Sequence, residues 1–478
     1  MKFGFLGISW LVMTKHKLQR ILFAFGCLLV NTTSAQEFLR DRKYQGGIGV
    51  QVGAFELHPG LAVEGGYDSN WFLRSSKEGA DIVNGASQAP VEGAGMLRVT
   101  PSLSFGTQQA RNQEQGTNAY LPYEFRTMAS GSYLEFIGSS DVRSQRNMNA
   151  NFNGGFDLFR GRPWGGSCSL SYRRYITPSS FGDTSVSFNR DTLNGRVDVI
   201  ATPGGGTLEL RVGYQSDLAI FEQFSGRDYN NLSQQLVTQG QWKFRPRTSL
   251  VYDGMFGYSR YIADRSQHYL WLPDTIPIRT RLGVMGLLTH SLGIYAVAGY
   301  GAMLSTANEN KKTSLAPQFD SVIGTLELMY FWLTSPSPDY VLSFIRSGAS
   351  ESAVGLGYNR DFQNSYVGTG FYGVDRVYAR LNYFFKGRFL ISAQAGVAAI
   401  RYPMFLADDG SFLHDPSTDI RLDGTLFGEY RFSNAFGLIG TLKHSYNSSQ
   451  VQLEWGNGRR FDFNWNRFEA FAGVRWVM

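Results

Sequence analysis

Long runs of strict apolar–polar alternation constrain this 478-residue chain more than any other feature. On 96–105, Leu97, Val99, Leu103 and Phe105 fall on one face and Arg98, Thr100, Ser102 and Ser104 on the other. On 207–217, Leu208, Leu210, Val212 and Tyr214 oppose Thr207, Glu209, Arg211, Gln215 and Asp217. On 421–432, Leu422, Leu426, Tyr430 and Phe432 oppose Arg421, Asp423, Thr425, Glu429 and Arg431. On 377–385, Val377, Leu381, Tyr383 and Phe385 oppose Arg380 and Asn382. A period of two marks a strand with unlike surroundings on its two faces. These runs last about ten to fourteen residues, against about five or six in an ordinary strand. A tilted strand needs about 9–11 residues to cross a bilayer. A soluble sandwich also alternates, but its strands are shorter, so length favours crossing a membrane.

The final strand follows the same rule. Met478, Trp476, Val474, Ala472, Ala470 and Phe468 share one face, and Val477, Arg475, Gly473, Phe471 and Glu469 the other. Such a strand needs an edge to pair with, and a closed barrel supplies one. Gly473, Trp476 and Met478 resemble the C-terminal assembly signal of bacterial outer-membrane barrels. The segment departs from that signal at Met478, where Phe is usual, and at Phe471, where a polar residue is usual.

Residues 13–35 have a basic start (Lys15, Lys17, Arg20), an apolar run from Ile21 to Val30 and a small-residue end at Ala35. That is the pattern of a secretory signal cut after Ala35, with Met13 as the expected start and 1–12 as an upstream extension. Cys27 lies inside the apolar run and does not fit a lipoprotein site. Residues 36–59 are expected to form a short periplasmic segment, with the barrel over 60–478. No other stretch is apolar enough for a membrane helix, and the mean hydropathy is −0.21. A barrel tolerates that value, because lipid-facing and lumen-facing residues alternate. The four leader cations reduce the net charge from +6 to +2 on cleavage, so the basic balance does not point to nucleic acid. Cys168 is then the one remaining cysteine, and no intramolecular disulfide is expected.

Connections alternate between short and long. The short ones are Arg160–Gly165, Thr202–Gly206, Arg245–Thr248, Thr289–Gly293, Thr334–Pro338, Phe385–Arg388 and Phe432–Ala435. Longer polar stretches lie near 74–92, 138–149, 178–189, 218–232, 262–277, 305–319, 362–370, 403–418 and 447–461. Short periplasmic turns and long extracellular loops are the pattern of an outer-membrane barrel. The fold expected is therefore all-β: a transmembrane antiparallel up-and-down β-barrel of about eighteen strands, with about sixteen to twenty allowed. The strands are placed at 60–73, 93–107, 119–137, 149–160, 166–177, 190–201, 206–217, 233–245, 248–261, 278–290, 293–304, 320–333, 339–361, 371–385, 388–402, 419–432, 436–448 and 462–478. The facing pattern changes phase near Gly131, which calls for a bulge or an extra turn. Tyr172 and Tyr175, Trp242 and Phe244, Tyr330 and Trp332, Tyr383 and Phe385, Tyr430 and Phe432, and Trp476 gather near strand ends, as interfacial girdles do.

An interior of about eighteen strands is too wide for side chains to fill. The expected lumen set mixes signs: Arg98, Arg196, Asp198, Glu209, Arg211, Arg380, Arg421, Asp423, Glu429 and Arg431, with Glu469 and Arg475 from the last strand. Mixed charges beside Asn, Gln, Thr, Tyr and Trp suit a hydroxyl-rich polymer or a generic hydrophilic solute; arginine–acid pairs that merely stiffen the wall are the plainer reading. About 24 residues before the first strand leave no room for a plug domain. His58, His268, His290, His414 and His444 are scattered, and none stands at metal-ligand spacing. His444 and Ser445 point to opposite faces of a strand and cannot act together. Asp408-Asp409-Gly410 reads as a solvated loop before a calcium site, and Thr202–Gly206 as a turn, because no Lys-Ser/Thr follows it. No catalytic residue, metal or cofactor is expected.

Gly53-Ala-Phe-Glu-Leu-His-Pro-Gly60, running into Leu61–Asn70, resembles the opening strand of the β-barrel porin 2 group. Ser171-Tyr-Arg-Arg-Tyr-Ile-Thr-Pro178 resembles its Tyr/Arg-rich strand ending in Pro. The resemblance runs along the whole mature chain, and it implies an eighteen-stranded outer-membrane component of exopolysaccharide secretion. The partners it implies are outer-membrane lipid, the barrel-assembly machinery, a periplasmic polysaccharide-export protein and the polysaccharide itself. A porin for small hydrophilic solutes and a non-transporting adhesin or scaffold are the alternatives.

Overall fold

The computed structural model describes residues 49–76, 91–107, 122–159, 161–177, 189–222, 230–262, 274–305, 319–332, 341, 352–364, 371–385, 388–402, 405–406, 412–414, 417–449, 452–454, 460–462 and 464–478. Eighteen long strands follow one another. They are β1 Phe55–Asp68, β2 Ala94–Thr107, β3 Tyr123–Ile137, β4 Asn147–Leu158, β5 Trp164–Tyr175 and β6 Arg190–Ala201. Next come β7 Leu208–Phe221, β8 Asn231–Arg245, β9 Thr248–Tyr261, β10 Thr275–Leu287, β11 Leu292–Ser305 and β12 Phe319–Phe331. The last six are β13 Ala353–Asn364, β14 Phe371–Phe385, β15 Phe389–Tyr402, β16 Ser417–Arg431, β17 Phe436–Ser448 and β18 Trp465–Val477.

Each strand pairs antiparallel with its sequence neighbours, and β18 pairs with β1 from Gly60–Val477 to Asp68–Glu469, closing the cylinder. A further short strand, Val50–Val52, folds back on the start of β1. Odd-numbered strands run from the end with short turns to the end with long loops, and even-numbered strands return. The first and last barrel strands therefore both meet the turn end. There the Met478 amide donates to the Pro59 carbonyl at 3.0 Å, and a ring nitrogen of His58 lies 2.9 Å from the Met478 carbonyl oxygen.

Alternation sorts the side chains as the residue types require. Leu97, Val212, Phe256, Leu282, Leu356, Leu442 and Val474 are exposed on the outer surface, as is Cys168. Arg98, Thr100, Glu327, Glu429 and Arg431 are buried on the inner one. At the turn end the outer aromatics touch: Trp242 and Phe244 at 5.9 Å, Tyr330 and Trp332 at 6.1 Å, Tyr383 and Phe385 at 6.2 Å, Tyr430 and Phe432 at 5.1 Å. Trp332 also meets Tyr383 from β14 at 5.9 Å. Tyr172 and Tyr175 differ from the expected pair. Three residues apart on a strand, they take opposite faces; Tyr175 points inward beneath Arg190, 4.8 Å from its ring. At the loop end, outward tyrosines on rising strands donate to acids at the start of falling ones. Tyr172 donates to Asp191 at 2.8 Å, Tyr258 to Asp274 at 2.6 Å and Tyr358 to Asp375 at 2.7 Å.

Three sequence expectations change. The first barrel strand begins at Phe55 and ends at Asp68, not 60–73, because Asn70 starts a tight turn. Its side-chain carbonyl accepts from the Arg74 amide at 2.9 Å, and its side-chain amide donates to the Arg74 carbonyl at 2.8 Å. Residues 71–74 leave the wall and bury themselves inside it.

The phase change near Gly131 is neither a bulge nor a turn. β3 keeps one register with β2, from Gly95–Ile137 to Gly106–Arg126, and one with β4. What changes is the inner lining: Leu134 and Phe136 point inward because Trp71 and Phe72 are there to cover them.

The strand expected at 339–361 begins only at Ala353. Part of the longer connection before it turns back: Val341 is buried among Met285, Leu287, Met329 and Phe331. The expected turn Thr334–Pro338 lies outside the described residues. The Thr202–Gly206 turn stands as expected, with Gly204, Gly205 and Gly206 at φ +68, +66 and +89, which glycine alone adopts without strain.

Candidate translocation path

The expected lumen charges all sit on inner-face positions, and most are matched in pairs. Arg98 makes a bidentate bridge to Glu64, with both contacts at 2.7 Å, and lies over the Phe471 ring. Arg196 holds Asp198 at 2.7–2.9 Å, and Arg211 holds Glu209 at 2.7 Å. Arg380 donates to Glu327 at 2.6 Å, and Tyr378 donates to the other oxygen at 2.8 Å. Asp423 pairs with Arg376 at 2.5 Å, and Arg421 lies over the Trp465 ring. Glu429, 1% exposed, takes Arg431 at 2.9 Å and also Arg475. Arg467 bridges Asp68 and Glu469. Buried charges persist only when paired and hydrogen-bonded, and this wall meets that condition. These charges largely compensate one another within the wall.

The interior is not uniform around the cylinder. Over β10–β18 and β1–β3 it carries apolar clusters: Met285 with Met329 and Phe331, Met303 with Ile323, Ala62 with Phe427 and Ile439, and Met96 with Leu134 and Phe136. Over β4–β9 it is largely polar, with amides and hydroxyls set among paired charges. Asn147, Asn149, Asn151 and Asn153 occupy every second position of β4, partly exposed on the inner face. Register then sets Asn153, Ser171, Asn194, Asp217, Ser233 and Ser259 side by side on six successive strands. Below that row, Ser169, Arg196, Gln215 and Gln235 form another. Side-chain bonds knit the rows: Asn153 to Asn151 at 3.2 Å, Gln215 to Asp217 at 2.9 Å, Gln235 to Ser233 at 3.0 Å. Asn149 Oδ1 is buried without a partner. Sequence reasoning passed over this wall because it weighed charges, although the alternation Asn147-Met-Asn-Ala-Asn-Phe-Asn153 displays it.

Two inward segments narrow the loop end. In the first, Trp71 packs on Phe136 at 4.7 Å beneath Arg467, and Phe72 is fully buried under Arg74. The second is the tip of the β13–β14 hairpin. The β12–β13 ladder stops at Gly324–Arg360, although β12 stays paired with β11 to Phe319 and β13 with β14 to Asn364. Past that point β13 leans inward. Asp361 meets Arg279 at 2.9 Å, and Phe362 packs with Met303 and Ile323. Gly301 makes room for it, since a Cβ there would lie 2.7 Å from the Phe362 ring. Arg360 spans the resulting gap in the wall, donating to the Val322 carbonyl at 3.1 Å and to Ser321 Oγ at 2.9 Å.

The assembly-signal residues lie at the closing seam. Gly473 faces inward where a Cβ would come within 2.1 Å of the Val63 carbonyl oxygen, and Trp476 and Met478 face outward. His444 faces outward and bonds Asn466 at 2.8 Å, whereas Ser445 faces the interior. His268 and Asp408–Gly410 lie outside the described residues, and so does the His414 side chain. Among the described residues no group of three His, Cys, Asp or Glu could hold a metal.

No family model matches the chain, so the porin 2 resemblance rests on the quoted residues alone. No curated protein matches it either. Among solved structures the chain is similar to the ferric enterobactin receptor PfeA of Pseudomonas aeruginosa, at 10% identity and TM-score 0.43 over 90% of this chain and 82% of that one. It is also similar to the FrpB iron transporter from Neisseria meningitidis, at 9% identity and TM-score 0.44 over 88% and 81%. A third is the siderophore receptor PiuA from Acinetobacter baumannii, at 10% and 0.41 over 90% and 82%. Likenesses at this level carry no inference about cargo.

Proposed function

We propose that this chain is an integral outer-membrane β-barrel that gives an exo- or capsular polysaccharide a hydrated path across the membrane. The observation that carries the reading is the inner wall of β4–β9, where amides, hydroxyls and one carboxylate, Asp217, stand in register across six strands. Such a wall exchanges hydrogen bonds with sugar hydroxyls at little net cost, because each partner replaces a water. The neighbouring charges are compensated in pairs, so no one-sign field selects small ions. The outward apolar belt with aromatics at the turn end supports a lipid surrounding. The export reading includes guidance from the turn side by a periplasmic polysaccharide-export protein, and insertion by the barrel-assembly machinery.

A clean deletion tests this. Surface polysaccharide disappears while small-solute uptake stays intact; normal surface polysaccharide in the deletion strain rules the reading out. One observation favours a solute-selective porin instead: Phe72 and Phe362 both point into the loop-end half of the interior and narrow it. Uptake of small sugars by vesicles carrying the purified protein, with unchanged surface polysaccharide in the deletion strain, selects that alternative.

A further inference from the structure

The short turns at one rim of the barrel carry only basic charges. Of the eight connections at the turn end, the six short ones, 159–163, 202–207, 246–247, 288–291, 386–388 and 432–435, contain no Asp or Glu, and the two longer ones, 108–122 and 332–352, contain Glu114, Asp339 and Glu351. The short ones contain Arg162, Arg247 and Arg388, all exposed, and Arg245 is exposed at the adjoining end of β8. Arg160 and Lys386 of the same turns lie outside the described residues. At the opposite rim the outer surface mixes signs: Arg260 and Arg401 are exposed there, and Asp375 takes both the Tyr358 hydroxyl and Arg401.

The turn-end cations stand beside the outer aromatic belt. Trp164, Trp242, Phe432 and Phe436 are among the most exposed large side chains of the barrel. Arg162 lies over the Phe159 ring at 5.3 Å, and Arg245 over the Phe244 ring at 5.9 Å. Rings of this kind sit at the boundary between hydrocarbon and headgroups, and an arginine stacked on one extends its guanidinium to phosphate height. The positive charge is thereby held at the perimeter, where a lipid reaches it.

We propose that this basic collar binds the phosphates of anionic phospholipids in the leaflet that faces the turns. The proposal rests on the outer-membrane reading and is independent of what the lumen carries. An acidic periplasmic protein would also be drawn to cations; here Phe rings lie under Arg162 and Arg245, the pairing of an interfacial belt. The collar fixes the depth of the barrel: aromatic rings anchor in the interface, and the arginines draw anionic headgroups around the mouth. Each cation near an anionic surface contributes roughly a five-fold preference, so four act together strongly.

The test uses the full chain folded in vesicles of phosphatidylcholine with and without phosphatidylglycerol. The lipids that stay bound on transfer to detergent are counted by native mass spectrometry. The wild type retains phosphatidylglycerol over phosphatidylcholine by about ten-fold or more. The combined variant Arg162→Gln, Arg245→Gln, Arg247→Gln, Arg388→Gln loses that preference, and the corresponding four Arg→Lys changes keep it. Equal retention of both lipids by the wild type overturns the proposal, whatever the variants do. So does an undiminished preference in the Gln variant. A Gln variant that keeps its lipid preference but loses surface polysaccharide assigns the collar to a protein partner and overturns the proposal too. Failure of the wild type to insert into either vesicle overturns both this inference and the membrane reading, whereas normal lipid preference with normal polysaccharide in a deletion strain overturns only the export reading.

Discussion

Asp361 is held by Arg279 at 2.9 Å, which joins the tip of β13 to the inner face of β10, three strands away; Arg281 approaches the same carboxylate at 3.9 Å, and Arg279 also donates to the Phe362 carbonyl at 3.1 Å. A strand in a closed wall would pair with β12 instead. Past Arg360 it does not, and the side chains of Asp361 and Phe362 take the place of the missing ladder. The narrow loop end is therefore fastened by side chains at a point where the backbone ladder has let go.

That fastening is weak enough to test. Asp361→Asn removes the ion pairs to Arg279 and Arg281, and Phe362→Ala removes the ring from its seat against Ile323 and Gly301. With both changes the hairpin tip is expected to move outward and single-channel conductance in planar bilayers to rise several-fold. Conductance identical to wild type would show that the hairpin does not limit the path.

Two ion pairs calibrate how firmly the wall is held. Glu429 is buried between Arg431 and Arg475, and its replacement by Ala takes a buried carboxylate away from two guanidiniums. Breaking a buried pair from one side costs about 3–5 kcal/mol. Glu209 and Arg211 form a bridge of similar length, but their side chains are 36% and 29% exposed. A pair that water reaches is worth about 0–1 kcal/mol. Denaturant unfolding in detergent micelles should therefore place Glu429→Ala well below Glu209→Ala in midpoint. Equal midpoints would mean that the interior around Glu429 is wet.

The fold was readable because a strand with lipid on one side and water on the other must alternate, and few sequences keep that up for so long. Leu422 and Arg421 declare their faces unaided. The same rule misled at β3, where Leu134 and Phe136 look as if they belong outside. They lie inside because a loop about sixty residues earlier returns to cover them, and a local pattern cannot report a contact so distant in sequence. The amide wall was visible as a period of two in asparagine. Its continuity across β5–β9 was not, since register is fixed only when the strands pair. The departure of β13 from β12 was hidden for the same reason: Asp361 and Phe362 read as ordinary strand residues until Arg279 and Met303 are placed opposite them.

Closure is the next point to probe. At Gly473 an added Cβ would lie 2.1 Å from the Val63 carbonyl oxygen and 2.7 Å from Glu64 Cα, both backbone atoms that cannot step aside. Gly424 and Gly428 on the outer face have open space around them. Gly473→Ala should lower the fraction of chains that fold into vesicles and the stability of those that do, with overpacking of this kind costing about 1–3 kcal/mol. Gly428→Ala should leave both unchanged. The readout is the mobility of unheated samples in denaturing gels. Equal folding of the two variants would separate Gly473 from the closing step.

The amide wall yields the most specific expectation for transport. Replacing Asn149, Asn151 and Asn153 together by Leu keeps the strand, because Leu suits β4 and its outer face is untouched. It replaces amide groups along one inner edge of the polar rows with hydrocarbon, so a sugar polymer passing that edge would leave hydroxyls unpaired at about 1–3 kcal/mol each. A small ion keeps its water and meets no such cost. The triple variant should therefore retain ion conductance in planar bilayers while surface polysaccharide falls at least several-fold in cells making normal amounts of folded barrel. If both fall together, the wall is needed for the structure of the pore. If polysaccharide release is unchanged at full barrel levels, the polymer takes no path along β4.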